Sequence, residues 1–379
     1  MSPSVALRLR LRQPDDWHVH FRDGAVMRTV APLTARHFGR ALVMPNLTPP
    51  VRTVAQARAY RDRILAAVGS VVTFKPYMTL YLTEQTTIET VEEAKACGFI
   101  LAFKWYPAGA TTNADLGVRL IERLFSVLAA MEALDLVLCV HGESTDPNID
   151  VYDREEHFIL HELQPVRERF PRLRIVLEHI STAFGAEWVR RNPSNRLAAT
   201  VTPQHLLCNR NDLLVGGLKP HYYCLPILKS ERDRQAIMDA IRNDHQGRFF
   251  LGSDSAPHVR SRKESACASA GCFTALTTLE LYAEAFANAG ILDRLEQFAS
   301  INGAKFYGLE PSEERVELVQ WSESIIQIPE SVLVQDKDAL ETAQGEEADA
   351  GAASELRPFR AGSFLTWSVE RISSSTTKP

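Results

Sequence analysis

The sequence predicts an α/β chain closed into a (β/α)8 TIM barrel, and three observations predict it. Eight short apolar, β-branched runs lie between residues 16 and 254. Longer amphipathic stretches separate them, and parallel neighbours need such long returns. Polar residues, histidines foremost, repeatedly close the runs at their C-terminal sides, the face where a barrel of this kind builds its site. At 379 residues the chain is longer than the roughly 250 typical of such barrels, yet still within reach of one domain.

The elements follow in order. Leu7, Leu9 and Leu11 alternate with Arg8, Arg10 and Arg12 ahead of the first run. That period of two fits an edge strand better than a targeting peptide, which would be longer and serine-rich. The eight runs are 16–20, 41–44, 71–78, 100–104, 137–141, 175–179, 198–202 and 249–254. Helical patterns between them cover 54–68, 87–97, 115–134, 155–170 and 183–191, and two more follow at 273–289 and 292–301. A doubly wound open sheet would carry a glycine-rich phosphate turn after its first strand, and none stands there. Residues 335–353 are acidic, rich in alanine and poor in large apolar groups. Such a stretch reads as a flexible surface insertion, placed at about 335–355 in a single domain of 1–379. Strand character returns at 364–369, and the tail 373–379 is expected to fray.

Composition bounds the function. An apolar share of 45% with 23% charged residues allows a large core without staples. The net charge of -5, with both signs scattered, excludes the basic footprint of a nucleic-acid binder. A small anionic substrate needs only local positive charge. No apolar run is long enough to span a membrane. The six cysteines (Cys97, Cys139, Cys208, Cys224, Cys267 and Cys272) form no C-x-x-C pair, and a disulfide framework is not expected. Cys267 and Cys272 could supply half of a zinc site, but the sequence offers no other half. With no leader recognised, the glycosylation sequon at Asn46 carries no weight and a soluble cytoplasmic protein is expected.

The strand ends carry the chemistry. His18 and His20 close the first strand, and in an extended chain i and i+2 point the same way. Alone, two such histidines are more often ordinary polar residues on one face. Lys104 closes the fourth strand, His141 the fifth, His179 the sixth and Asp254 the eighth. Four imidazoles, a lysine and an aspartate would then converge at one mouth, and that coincidence points to metal binding. Burial among positive neighbours favours the neutral amine of Lys104. A neutral amine can add carbon dioxide and become a carbamate, an anion able to bridge two metals. A floor lysine paired with Asp254 is the other reading. Glu178 alternates away from His179 and is expected to pack; Trp105 is expected in the wall. His37, His157, His161 and His245 are expected to face solvent, and His205 either backs the site or is structural.

At these residues the chain resembles the single-function dihydroorotases of bacteria and fungi, in the amidohydrolase superfamily. The resemblance rests on Trp17-His18-Val19-His20-Phe21-Arg22, Val43-Met44-Pro45-Asn46-Leu47, Lys104-Trp105-Tyr106-Pro107-Ala108-Gly109-Ala110-Thr111-Thr112-Asn113, Val140-His141-Gly142-Glu143 and Leu177-Glu178-His179-Ile180-Ser181-Thr182. It continues through Thr202-Pro203-Gln204-His205-Leu206, Tyr223-Cys224-Leu225-Pro226-Ile227-Leu228-Lys229, Gly252-Ser253-Asp254-Ser255-Ala256-Pro257-His258 and Ala270-Gly271-Cys272-Phe273. It spans about 11–318 and resumes near Trp367.

The resemblance implies a metal-dependent barrel holding two Zn2+ ions. His18, His20 and Asp254 would bind one ion, His141 and His179 the other, and N6-carboxylysine at Lys104 would bridge both, with a bridging hydroxide as nucleophile. Asp254 would be the catalytic acid and base. Arg22, Asn46 and His258 would hold the substrate carboxylate, backbone groups near Leu225 and Ala270 would read the ring, and Thr111 and Thr112 would close over it. The reaction implied is the reversible cyclisation of N-carbamoyl-L-aspartate to L-dihydroorotate in pyrimidine biosynthesis, in a homodimer. Two rivals remain: another cyclic amidase, of the hydantoinase or allantoinase kind, and a catalytically dead relative serving as a scaffold. Arg22, Asn46 and His258 together argue against the first, and the full set of competent ligand types against the second.

Overall fold

The computed structural model describes residues 4–70, 73–192, 194–334 and 354–371. Eight parallel strands stand in sequence order. After the N-terminal β1 (Val5–Arg12) they are β2 (Asp15–Val19), β3 (Arg40–Val43), β4 (Lys75–Tyr81), β5 (Ile100–Trp105), β6 (Val137–Val140), β7 (Arg174–Leu177), β8 (Leu197–Val201) and β9 (Phe249–Leu251). The sheet closes where its ends meet. The Asp254 amide donates to the His18 carbonyl at 2.9 Å and the His20 amide to the Ser255 carbonyl at 3.0 Å. That closure needs Gly252, because a Cβ there would lie 2.7 Å from Thr200 Cβ and 2.9 Å from His18 Cβ.

Alternation divides the side chains. Phe103, Trp105, Leu138, Val140, Ile175 and Leu177 face outward into the apolar layer beneath the helices. Trp17, Ala102, Cys139, Val176, Ala198 and Phe250 face inward and fill the lower barrel. The helix Asn302–Phe306 and the following Tyr307 plug that end. Tyr307 stacks on Trp17 at 4.5 Å between centroids, and Gly303 lets the backbone pass Trp17, whose indole nitrogen would be 2.1 Å from any Cβ there. The barrel floor is therefore packed shut, and only the C-terminal rim is open for chemistry.

Outside the barrel, β1 forms the edge of a three-stranded sheet with β10 (Arg315–Trp321) and the C-terminal strand Trp367–Arg371, the edge role its alternation predicts. The acidic stretch 335–353 and the tail 373–379 lie outside the described residues. The insertion was placed as far as 355, but Glu355 already pairs in a short ladder, Val332–Leu333 against Glu355–Leu356.

Several elements differ from expectation: the helix expected over 273–289 begins only at Thr278, and that over 292–301 is a tight turn, Leu292–Arg294, followed by a π turn, Gln297–Ile301. The third barrel strand runs Lys75–Tyr81, later than 71–78. The helix expected over 115–134 is only Phe125–Ala133, preceded by a tight turn at Ile121–Leu124. Residues before that turn fold back on the preceding loop: the Val118 amide donates to the Tyr106 carbonyl at 2.8 Å. Gly117 sits where a Cβ would be 2.4 Å from the Tyr106 carbonyl oxygen. The helix over 155–170 widens into a π turn at Ile159–Leu163, just before Pro165, which has no amide to donate back.

Candidate metal centre

Two groups of ligands face each other at the rim. In the first, His18 Nε2 and His20 Nε2 are 3.3 Å apart, and Asp254 Oδ1 lies 3.4 Å from the former and 3.0 Å from the latter. These three buried side chains form a group that can hold a metal ion. In the second, His141 Nδ1 lies 3.3 Å from His179 Nε2. The His18 and His179 rings are 5.0 Å apart, so the groups adjoin. Lys104 is fully buried beside them, and its Nζ has no hydrogen-bond partner. Burial drives its pKa down, against the opposing pull of Glu178, Cys139 and Asp254.

Each group is held from behind. His18 Nδ1 meets the Glu178 carboxylate at 2.7 Å, and His141 Nε2 meets Glu143 at 2.8 Å. Those contacts place the ring protons on the rear nitrogens and leave His18 Nε2 and His141 Nδ1 as lone-pair donors toward the rim. Thr200 links the halves: it accepts from the His179 amide at 2.7 Å and donates to Glu178 at 2.6 Å. The expectation that Glu178 packs away from the site is thus overturned. Val176 faces the interior, so two residues on Glu178 does as well. His179 would then face out, but its left-handed backbone, φ 39°, turns its ring inward. Asp254 has a similar backbone, φ 45°.

The protonation states suit metal ligation. Burial lowers His20 to about 4 and carries His179 well below its ordinary value. Burial pushes Asp254 up, but hydrogen bonding from His20 and the surrounding positive charge overcome this and hold it at about 2. Neutral His20 and His179 and an ionised Asp254 are the forms that bind cations.

A narrow cavity opens above the ligands, and Arg22, Asn46, Thr111, Thr112, Leu225 and Ala270 line it together with His20, His141, His179 and Asp254. His258 stands beside it: its Nε2 is 2.8 Å from Arg22 Nη2 and 3.1 Å from the Ala270 carbonyl. Burial and then the Arg22 charge keep that imidazole neutral. Asn46 donates to the Thr112 carbonyl at 3.0 Å, which ties the loop across the mouth. His18 and Lys104 lie below the lining.

The structure adds Glu178, Glu143, Thr200 and Tyr106 to the residues singled out from sequence. Tyr106 is buried, lines the cavity, and has an unpartnered hydroxyl. Strand parity from Val176 would have found Glu178, and the i+2 spacing from His141 would have found Glu143. His205 is structural, bonding Thr202 Oγ1 at 2.8 Å and the Pro226 carbonyl at 3.0 Å. Of the histidines expected in solvent, His161 and His245 are exposed. His37 is not: its side chain is 13% exposed and lies 3.9 Å from buried Glu280. His157 is also half-buried. Cys272 is buried and Cys267 exposed, and both are free thiols.

Four imidazoles, an aspartate and a buried lysine at the mouth of a closed barrel define a metal-dependent hydrolase. The profile of the Amidohydrolase family matches residues 16–317. A dihydroorotase of Aromatoleum aromaticum is 52% identical over 361 residues, covering 95% of this chain and 99% of the relative. The crystal structure of a Campylobacter jejuni dihydroorotase superposes with a TM-score of 0.82 at 33% identity, covering 97% of this chain and 98% of that one. A Saccharomyces cerevisiae dihydroorotase bound to 5-fluoroorotic acid superposes at 0.83 with 28% identity, covering 96% and 98%. The chain belongs to the amidohydrolase family and, within it, to the dihydroorotases.

Proposed function

We propose that the chain interconverts N-carbamoyl-L-aspartate and L-dihydroorotate, with two zinc ions held at the rim. One observation carries this reading: two ligand groups flank a buried, unpartnered lysine beneath a cavity that also holds an arginine. The donors fit the ions. His18 Nε2, His20 Nε2 and Asp254 would hold one, and His141 Nδ1 and His179 Nε2 the other. Lys104 completes both sets as its carbamate: the Nζ lone pair attacks carbon dioxide, an N–C bond forms, and one proton leaves to solvent. Bound there, the zinc ions supply Lewis acidity and lower the pKa of water to about 7.

The chain's own groups do the rest. Arg22 presents a planar fork to the substrate carboxylate, a geometry lysine cannot copy. Asn46 and neutral His258 complete that end. Backbone groups at Leu225 and Ala270 receive the ring edges, and Thr111 and Thr112 cover it and exclude water. In hydrolysis Asp254 takes the proton of the attacking water and delivers it to the departing ring nitrogen. In cyclisation the same carboxylate accepts the nitrogen proton as the amide closes.

The reaction belongs to de novo pyrimidine (UMP) biosynthesis, in a cytoplasmic homodimer of single-domain chains. No helix among the described residues is long and apolar enough to cross a membrane. The zinc-loaded protein should turn over dihydroorotate and leave hydantoin untouched, and metal analysis with the native mass of the Lys104 peptide should show two zinc ions and a carboxylated lysine. Turnover of hydantoin alone would move the chain to the other cyclic amidases. Light scattering of the purified protein reads the dimer.

A further inference from the structure

Lys263 lies outside every group assigned above. It ends the short helix Arg260–Lys263, five residues after His258, and is 2% exposed. Its Nζ donates to three backbone carbonyls: Tyr223 at 2.9 Å, Ser269 at 2.8 Å and Gly271 at 2.7 Å. All three ammonium protons are used, and no carboxylate pairs with Lys263 among the described residues. The three carbonyls belong to two segments remote in sequence, and these are the segments that present Leu225, Ala270 and Gly271 to the cavity. Directly, they are joined by the backbone bond from the Gly271 amide to the Tyr223 carbonyl at 2.9 Å, by the Cys272 thiol on the His221 carbonyl at 3.6 Å and by apolar packing of Cys224 with Cys272. On its other side Gly271 passes so close to Ala256 that a Cβ would lie 2.4 Å from the Ala256 carbonyl oxygen.

We propose that Lys263 is a positioning residue for the substrate, a clamp that fixes the backbone of Leu225 and Ala270 at the spacing the ring requires. The inference rests on the reading that these two backbones receive the ring. Its physics is that of a cation solvated by carbonyl dipoles. Three charge-assisted hydrogen bonds replace lost water, and their directions hold the two segments in register. The same positive charge lies near Arg22, on the side of the cavity where the substrate carboxylate binds.

The test is Lys263→Met, which keeps the stem and removes the donors, compared with Lys263→Arg in the zinc-loaded enzyme. In Lys263→Met, KM for dihydroorotate should rise roughly tenfold or more while zinc content stays full and kcat falls much less. Lys263→Arg should recover part of the loss. A merely structural role would lower zinc content, kcat and melting temperature together, and that pattern would overturn the clamp. So would a KM within about twofold of wild type in folded Lys263→Met. If Lys263→Met does not fold, hydrogen exchange of the wild-type holoenzyme decides. Peptides covering 222–226 and 266–272 should both slow on adding dihydroorotate, and slowing in one alone or in neither overturns the proposal. Failure of the wild type on dihydroorotate removes the reading above and the clamp's role with it. Wild-type turnover with an unchanged KM in Lys263→Met removes the clamp alone.

Discussion

The lower and upper halves of the barrel interior are built on opposite principles. The lower half is a packed apolar plug in which Trp17, Phe250, Val176 and Cys139 close on Tyr307. Among its described residues the Trp17 indole nitrogen is left without a partner. The upper half, a few residues further along the same strands, buries Lys104, Glu178, Glu143, His179 and Tyr106, each with a polar atom lacking a partner. It also carries left-handed backbone at Arg22, His179 and Asp254. Unpaired buried polar atoms cost about 1–3 kcal/mol each, and strained backbone of this kind costs a similar amount per residue. The lower half stabilises the barrel, whereas the upper half keeps polar groups that the fold itself leaves unpaired. Zinc binding should therefore raise the melting temperature, and chelation should lower it without opening the lower half.

The largest effects are expected where the upper half is discharged. Lys104→Ala should lose bound zinc and cut turnover by about a thousandfold or more. If Lys104 acts as the proposed carbamate, short carboxylic acids should rescue the variant in part by taking that group's place. Full zinc content in that variant would show that the lysine holds no metal, and the upper half would need another account of its orphaned amine. Asp254→Ala comes next: general acid–base catalysis is worth roughly 10²–10⁴-fold, and most of the zinc should remain on the four imidazoles and the carbamate. Unchanged turnover would strip Asp254 of its proton role.

The contrast between the halves also marks how far the sequence could be read. The strands and the residues that meet at the rim were legible because a polar residue ending an apolar run is a strong local signal, as at Lys104 and His141, where simple alternation holds. Glu178 was misread because its neighbour His179 breaks alternation. A left-handed residue at the end of β7 leaves no trace in a period-two pattern. The loop before Ile121 was misread as helix because its conformation is set by the bond from Val118 to Tyr106, a contact made outside the helix. Lys263 gave no signal at all, since its partners are backbone carbonyls and those carry no side-chain code.

Smaller effects test the supports of each half. Glu178→Gln keeps the shape but weakens the hold on His18, and should lower zinc affinity roughly 10–100-fold, measured by competition with a chelator. Equal affinity would show that the ring is fixed by packing and that the carboxylate is incidental. The smallest effect belongs to the plug. Phe250→Leu keeps an apolar side chain but removes the ring that packs on Phe306 and Tyr307. It should cost about 1 kcal/mol of stability in denaturant unfolding, while zinc content and kcat/KM stay at wild-type values. The prediction follows from closure at Gly252: the backbone there is pinned against Thr200 and His18, so a loosened ring two residues below should not reach the ligands. If kcat/KM falls along with stability, strain crosses that pin, and the two halves of the interior are one mechanical unit.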